Sequence, residues 1–475
     1  MTSAPIRPLL FAVLAAALLS GCTVGPDYKR PQAAVQDAWI EPGDSAAVDA
    51  RWWDSFGDPV LSDLVNRALA GNLDLAEART RIAEARAGRE ATAGGALPQV
   101  QAKSSYNTNE LSKNGQLPIG ALPGFARDFP LYDLGFDASW EIDLWGHARR
   151  QIEAARARED AALWGRRDIA LGIAAETARA YVDLRSAQAQ AGLAAADLQA
   201  NDALLRLTRQ RSEAGETNTI DLSQTAAARE SSARALEQAR ASVSAAGYRI
   251  AVLLGIAPEA LPAGLMTDAR PVPAPPVTIA RGIRSDLLER RPDIRRAERD
   301  LAAATADIGA AKADLFPRIS LVGSIGQQAR DPGDLGSSAS TRFSAGPSLS
   351  WPIFAGGRIR AQVRAADARA EATTVRYRKA IVGALSDSEG AANRQARTAA
   401  ALAAATRSAD AERQSFRLVE SRVRAGEDDD LALARARLRL TQAERAELSA
   451  RADCSAAAIA LYKSLGGGWD AAEAK

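Results

Sequence analysis

Asn72–Tyr106 reads NLDLAEARTRIAEARAGREATAGGALPQVQAKSSY, and Arg291–Ile325 reads RPDIRRAERDLAAATADIGAAKADLFPRISLVGSI. The two stretches align without a gap: Asp74 pairs with Asp293 and Pro98 with Pro317, at one spacing (317 − 98 = 219). Before each proline the apolar positions recur at helical spacing, Leu75, Ala78, Ile82 and Ala85 against Ile294, Ala297, Leu301 and Ala304. After it they recur at every second residue, Val100, Ala102 and Tyr106 against Ile319, Leu321 and Ile325. The period therefore switches from 3.6 to 2. Proline is a physically reasonable switch point, because it lacks the N–H that a helix interior needs and pushes its predecessor out of the α region. An internal duplication follows, and it fixes the architecture.

The match continues at a second spacing. Trp140 pairs with Trp351 (351 − 140 = 211), and so do Gly146 with Gly357, Arg211 with Arg422, Gly215 with Gly426 and Gly255 with Gly466. The first copy thus carries 8 extra residues (219 − 211) within Asn107–Phe136, which predicts a surface loop there. Each copy reads helix, strand, loop, strand, long helix, tip, long helix. In the first, Tyr132, Leu134, Phe136, Ala138, Trp140 and Ile142 alternate with Asp133, Gly135, Asp137, Ser139, Glu141 and Asp143. In the second, Phe343, Ala345, Leu349, Trp351 and Ile353 alternate with Arg342, Ser344, Gly346, Ser348 and Ser350. One apolar face with aromatics and one polar face is the pattern of an outer-membrane barrel; a soluble hairpin with one wet face is the alternative. Four strands cannot close, and an open edge in lipid leaves backbone groups unpaired. Closure demands several chains, with eight strands from a dimer or twelve from a trimer.

No proline lies between Pro130 and Pro258, and none follows Pro352. His147–Glu213 predicts a nearly unbroken helix of about 100 Å, which needs partners along its length. Each long helix is interrupted at a related tip, Arg211 to Leu222 and Arg422 to Leu433. Glycine after a basic helix end signals a C-cap, so these read as helical hairpins. The domain reading is 1–21 targeting segment, 22–71 N-terminal segment, 72–260 first repeat, 261–290 proline-rich linker and 291–475 second repeat.

Residues 1–21 combine Arg7, the short apolar run Leu9–Leu19 and a small-residue cleavage site. Leu19-Ser-Gly-Cys22 resembles the bacterial lipoprotein box, which would make Cys22 the lipidated first residue; an ordinary signal peptide is the alternative. Thr23 at the next position favours the outer membrane in that resemblance. Cys454 is then left without a partner, so no disulfide is expected. A net charge of +2 offers no argument for nucleic acid. Beyond the leader no apolar run reaches eighteen residues, so any membrane role falls to strands. One histidine, His147, excludes a two-histidine zinc site, and no phosphate-loop motif is present. Neither catalytic residues nor a metal or cofactor is expected, apart from diacylglycerol and an N-acyl chain on Cys22.

Cys22-Thr-Val-Gly-Pro-Asp-Tyr28, Trp52-Trp53 with Phe56-Gly-Asp-Pro59, Trp140-Glu-Ile-Asp-Leu-Trp-Gly146, Arg291-Pro-Asp293, Leu315-Phe-Pro317 and Leu465-Gly-Gly-Gly-Trp469 resemble the TolC-type outer-membrane lipoprotein factors of tripartite efflux pumps. The resemblance covers essentially the whole mature chain. It implies an α+β membrane protein forming a trimeric channel. A 12-stranded β-barrel, with 4 strands per chain, would continue into a periplasmic α-helical barrel. It implies a homotrimer in outer-membrane lipid, working with a periplasmic membrane-fusion adaptor and an inner-membrane resistance-nodulation-division transporter to export drugs, toxic organics or metal ions. A type I secretion conduit has the same parts. The resemblance places adaptor docking at the tips, with Arg211, Gly215, Asp221, Arg422 and Gly426, and barrel aromatic anchors at Tyr132, Phe136, Trp140, Phe343 and Trp351. TolC-type channels carry gate acids in the helix after the second tip. Leu431–Arg435 lacks them, so Asp428, Asp429 and Asp430, just before it, become the gate candidates. A solvated acidic first turn is the other reading of those three.

Overall fold

The computed structural model describes residues 23–32, 35–41, 43–112 and 126–469. Helix α1 (Pro59–Gly71) is followed by α2 (Leu73–Gly95), strands β1 (Gln99–Glu110) and β2 (Asp128–Ile142), and helices α3 (His147–Glu213) and α4 (Thr219–Leu254). After a single helical turn at Leu287–Arg290 come α5 (Pro292–Ala313), β3 (Arg318–Ala329), β4 (Thr341–Ser350), α6 (Arg358–Arg424) and α7 (Asp430–Ser464). The elements repeat at the spacings read from the sequence. β3 starts 219 residues after β1 (318 − 99), and α6 starts and ends 211 residues after α3 (358 − 147 and 424 − 213). Both helices that precede a strand stop short of Pro98 and Pro317, and the strand begins with the residue after the proline.

Two compact units divide the chain: 1–31, 82–161 and 297–377 form one, and 32–81, 162–296 and 378–475 the other. Each unit draws equivalent pieces from both repeats, so the repeat is a unit of sequence rather than of packing. The physical reason is helix length: α2, α3, α5 and α6 each contribute residues to both units.

The first unit holds a four-stranded antiparallel sheet in the order β1-β2-β3-β4. β1 and β4 are its edges. Of the two connections within pairs, residues 113–125 between β1 and β2 lie outside the described residues, as does Cys22. Trp351 and Ile353, read from the alternation as strand residues, lie beyond the end of β4 at Ser350. Pro352 and the Gly356-Gly357 pair, both at positive φ, take the chain out of the ladder there.

The second unit contains the aromatic core. Trp52 is fully buried and stacks on Tyr462, with ring centroids 5.1 Å apart and planes within 12°. Its indole N–H donates to Gly467 O at 3.2 Å. Asp58 caps α1, accepting from Val60 N at 2.9 Å and Leu61 N at 3.2 Å, and its second oxygen accepts from Tyr181 Oη at 2.8 Å. The Trp-Trp and Gly-Gly-Gly-Trp motifs, at opposite ends of the sequence, are thus neighbours in one core. The stretch read as a linker also joins that core, through Leu265, Val272 and Ile279, all buried.

Candidate channel wall and helical tips

Pleating sends alternate residues of each strand to opposite faces, and the pairing register gathers most of the apolar residues on one side, although Ser104, Gln327 and Thr341 share that side with Leu134, and Val322 lies on the other. One cross-strand row is Ala102, Phe136, Ile325 and Phe343; another is Tyr106, Tyr132 and Ala329. Phe136 is 58 % exposed and Phe343 73 %, far more than an aromatic residue of a packed core. Tyr106 and Tyr132 pair at 4.9 Å between ring centroids. Just beyond the strands the repeat is visible atom by atom. Trp140 donates its indole N–H to Ala96 O at 3.0 Å, and Trp351 donates to Leu315 O at 3.1 Å. Four of the five sequence-selected aromatics thus lie in strands, and the fifth, Trp351, is tied beside one.

The opposite face carries Lys103, Asp133, Asp137, Glu141, Arg318 and Arg342. Arg342 grips Asp133 through two contacts, Nε to Oδ2 at 3.0 Å and Nη2 to Oδ1 at 2.6 Å, and it also donates to Ser324 Oγ. Gln328 adds a third donor to Asp133 at 2.9 Å. Arg342 sits on β4 and Asp133 on β2, so the arginine bridges across β3. Its own row continues as Gly326 and Gly135, which leaves no side chain in the way. A Cβ on Gly135 would stand 2.5 Å from Ile325 O, so these glycines also permit the close approach of β2 and β3. Sequence reasoning counted Asp133 and Arg342 only as polar alternation. Their opposite charges on strands separated by a glycine pair are the signal that could have singled them out.

The tips form in the second unit and are also duplicated. Gly215 and Gly426 adopt φ of 77° and 79°. Glu216 N donates to Arg211 O at 2.8 Å and Glu427 N to Arg422 O at 2.9 Å, the six-to-one bond of a glycine-terminated helix. The next helices start on equivalent caps, Asn218 accepting from Asp221 N at 2.9 Å and Asp429 accepting from Ala432 N at 2.8 Å. Asp221 lies in the first turn of α4 and accepts from Thr217 Oγ1 at 2.8 Å. Of the three consecutive aspartates, Asp428 faces Arg422 at 3.1 Å, Asp429 pairs with Arg211 at 2.7 Å, and Asp430 opens α7. The Ala432 amide, and then the Arg211 guanidinium, hold the Asp429 carboxyl below the ordinary aspartate range. The cluster therefore sits at a helix start with two of its charges engaged within the chain.

At the other end of the sequence, the residues after Cys22 are strapped onto the sheet-bearing unit. Val24 N donates to Trp145 O at 3.0 Å, Gly25 lies against Gly309, and Asp27 pairs with Arg150 at 2.6 Å. His147 begins α3, with Nδ1 3.1 Å from Ala310 O. No cluster of potential metal ligands occurs among the described residues, and none of their helices is long and apolar enough to cross a membrane.

The "Outer membrane efflux protein" family model matches residues 64–256 and 283–467, two segments whose limits repeat at the same spacings (283 − 64 = 219; 467 − 256 = 211). A probable efflux pump outer membrane protein of Pseudomonas putida, TtgC, is 31% identical over 473 residues, covering 98% of this chain and 96% of its own. The pyoverdine export outer membrane protein OpmQ of Pseudomonas aeruginosa is 29% identical over 465 residues, 97% of each. Among solved structures, the outer-membrane channel OprN superposes with a TM-score of 0.83 at 37% identity, over 94% of this chain and 100% of its own. The Campylobacter jejuni CmeC outer membrane channel shares the fold with a TM-score of 0.84 at 20% identity, over 94% and 96%. The chain belongs to the outer membrane efflux protein family, and it is the outer-membrane channel component of an efflux pump.

Proposed function

We propose that three copies of this chain close one passive conduit, each giving four strands to a twelve-stranded barrel. The observation that carries this reading is the open sheet: β1 and β4 are edges, and the aromatic face they border is exposed. In lipid every strand needs a partner on both sides, so the edges must meet edges of other copies. Two copies give eight strands, a number whose interior side chains fill, whereas three open a lumen. The polar face, with Arg342 and Asp133, then lines the water path. The mass of the detergent-purified channel tests the count. A particle of about three chains, each 50.0 kDa before processing, is expected, and a dimer would sink the reading.

In this reading the chain catalyses nothing and holds no cofactor. Acyl chains on Cys22 anchor it, each buried CH₂ contributing about 0.8 kcal/mol. Cys22→Ala should lose acyl labelling; undiminished labelling would refute the anchor. The tips dock a periplasmic adaptor that links the channel to a resistance-nodulation-division transporter. The relatives named for efflux and pyoverdine export support small-molecule transport over the type I secretion of proteins. Restored drug resistance in a strain lacking its own channel but retaining that adaptor and transporter would separate the two.

A further inference from the structure

We propose that the junction between copies repeats, residue for residue, the junction between the two repeats within one chain. β4 then pairs with β1 of the next copy in one register, with Leu349 opposite Ser104 and Ser348 opposite Ser105, and Ile353 meets Val100 below the ladder. The inference rests on the reading that edge strands of separate copies meet, and it adds the surface and the alignment by which they do so.

The duplication is exact in the pairing itself. Gln99 of β1 stands opposite Ser139 of β2, and Arg318 of β3 opposite Ser350 of β4, each partner displaced by its own repeat spacing (318 − 99 = 219; 350 − 139 = 211). The operation that carries the first repeat onto the second therefore carries the β2–β3 junction onto whatever meets β4. A head-to-tail contact of this kind closes into a ring when the rotation allows. Within the chain that junction places Ala138 opposite Gly323 and Ile142 opposite Ile319. The same displacements give Leu349 with Ser104 (349 − 138 = 211; 323 − 104 = 219) and Ile353 with Val100 (353 − 142 = 211; 319 − 100 = 219). The pleat agrees, since Val100, Ser104 and Leu349 all lie on the apolar side of the sheet. A slip of one residue would set the apolar side of one copy beside the polar side of the next.

A second observation concerns what the single chain leaves bare. Ile142 and Ile319, paired inside the chain, are both partly buried, whereas their duplicates Ile353 and Val100 are 84 % and 68 % exposed. Phe316 is covered by Trp145, with ring centroids 4.7 Å apart, and Trp145 donates its indole N–H to Pro317 O at 2.8 Å. Leu97, the duplicate of Phe316, is 62 % exposed. Trp145 itself is replaced in the second repeat by Gly356, and the ring that turn offers is Phe354, 91 % exposed. The bare residues thus fall into two groups, Leu97 and Val100 at the β1 edge, Ile353 and Phe354 at the β4 edge. Two strands lie between these edges, which puts them about 14 Å apart and out of mutual reach within one sheet. Each group lacks the kind of cover that the other supplies, so the occupant is a second copy of this chain.

Cysteine cross-linking of the full-length channel in membranes reads the register; Cys454 is buried and takes no part. Ser348→Cys with Ser105→Cys, and Ser350→Cys with Lys103→Cys, are opposite pairs on the polar side and should link neighbouring chains under mild oxidant. Exchanging the partners, Ser348→Cys with Lys103→Cys and Ser350→Cys with Ser105→Cys, uses the same four positions. These pairs are diagonal, about 7–8 Å apart and at the limit of a disulfide, and should link at least about tenfold less. Faster linking in either exchanged pair, or no linking in any of the four, would overturn the proposal. The chain count is read separately. A dimeric mass with matched links would refute the twelve strands and keep this junction, and a trimeric mass with exchanged links would do the reverse.

Discussion

Trp140 and Trp351 stand in the same place in the two repeats, and each spends its indole N–H on the equivalent carbonyl, Ala96 O and Leu315 O. The bond ties each pair's second strand, at its end, to the turn that leads into its first. Phenylalanine at either position should keep the ring and lose the bond, at a cost of about 1 kcal/mol. Heat-dissociation profiles of the purified channel should show a similar small decrease for each substitution. A large loss for one and none for the other would contradict the equivalence.

The Arg342–Asp133 pair predicts a compensating set of changes in the channel wall. Arg342→Gln leaves a carboxylate facing the lumen and should shift reversal potentials toward cation selectivity. Asp133→Asn leaves a guanidinium and should shift them toward anions. The double substitution should return selectivity close to the starting value. Planar-bilayer recordings under a salt gradient read all three, and unchanged selectivity in both single variants would place the pair away from the water path.

At the second tip, cap and charge can be separated. Asp429→Asn keeps a side-chain oxygen for Ala432 N and loses only the pairing with Arg211, which is half exposed and so worth a few tenths of a kcal/mol. Asp429→Ala loses the cap as well and should cost about 1 kcal/mol of local helix stability. Hydrogen exchange of the first amides of α7 measures both. Because the folded carboxyl titrates below its ordinary value, its contribution is complete above the unfolded aspartate value of about 3.9 and fades as pH falls through the lower folded value. Tip protection should therefore be flat near neutrality and fall only in strong acid. Replacing Asp428, Asp429 and Asp430 together by Asn should weaken block by multivalent cations if the three ring the entrance, and should leave conductance unchanged if they only start the helix.

Gly426→Trp tests the docking surface. Open space surrounds both tip glycines, so no clash opposes a side chain, but φ of 79° opposes any L-residue by about 1–2 kcal/mol. The variant should still assemble and conduct while failing to restore efflux. Wild-type drug resistance with this substitution would exclude docking at that position.

The duplication made most of the fold legible, because hydrophobic period and proline position are local signals. Leu75, Ala78, Val100 and Ala102 already contain the helix-to-strand switch. The ends of α3 at His147 and Glu213 coincide with the expected ones for the same reason: the glycines flanking them are in the sequence. What escaped was set by register. Nothing local says that Arg342 on β4 stands opposite Gly326, or that Asp133 two strands away becomes its partner. Trp351 was placed one step too far into a strand because alternation continues past the residues that pair.

The stack of Trp52 on Tyr462 has a consequence for biogenesis. A chain synthesised from its N-terminus makes Trp52 early and its stacking partner about 410 residues later (462 − 52). Until α7 arrives, the ring of Trp52 lacks the Tyr462 face that covers it. Closing so long a loop is also entropically slow. Nascent or truncated chains therefore display an apolar surface that finished ones do not, a mark that chaperones and proteases can read. The core doubles as a check that the whole message was translated.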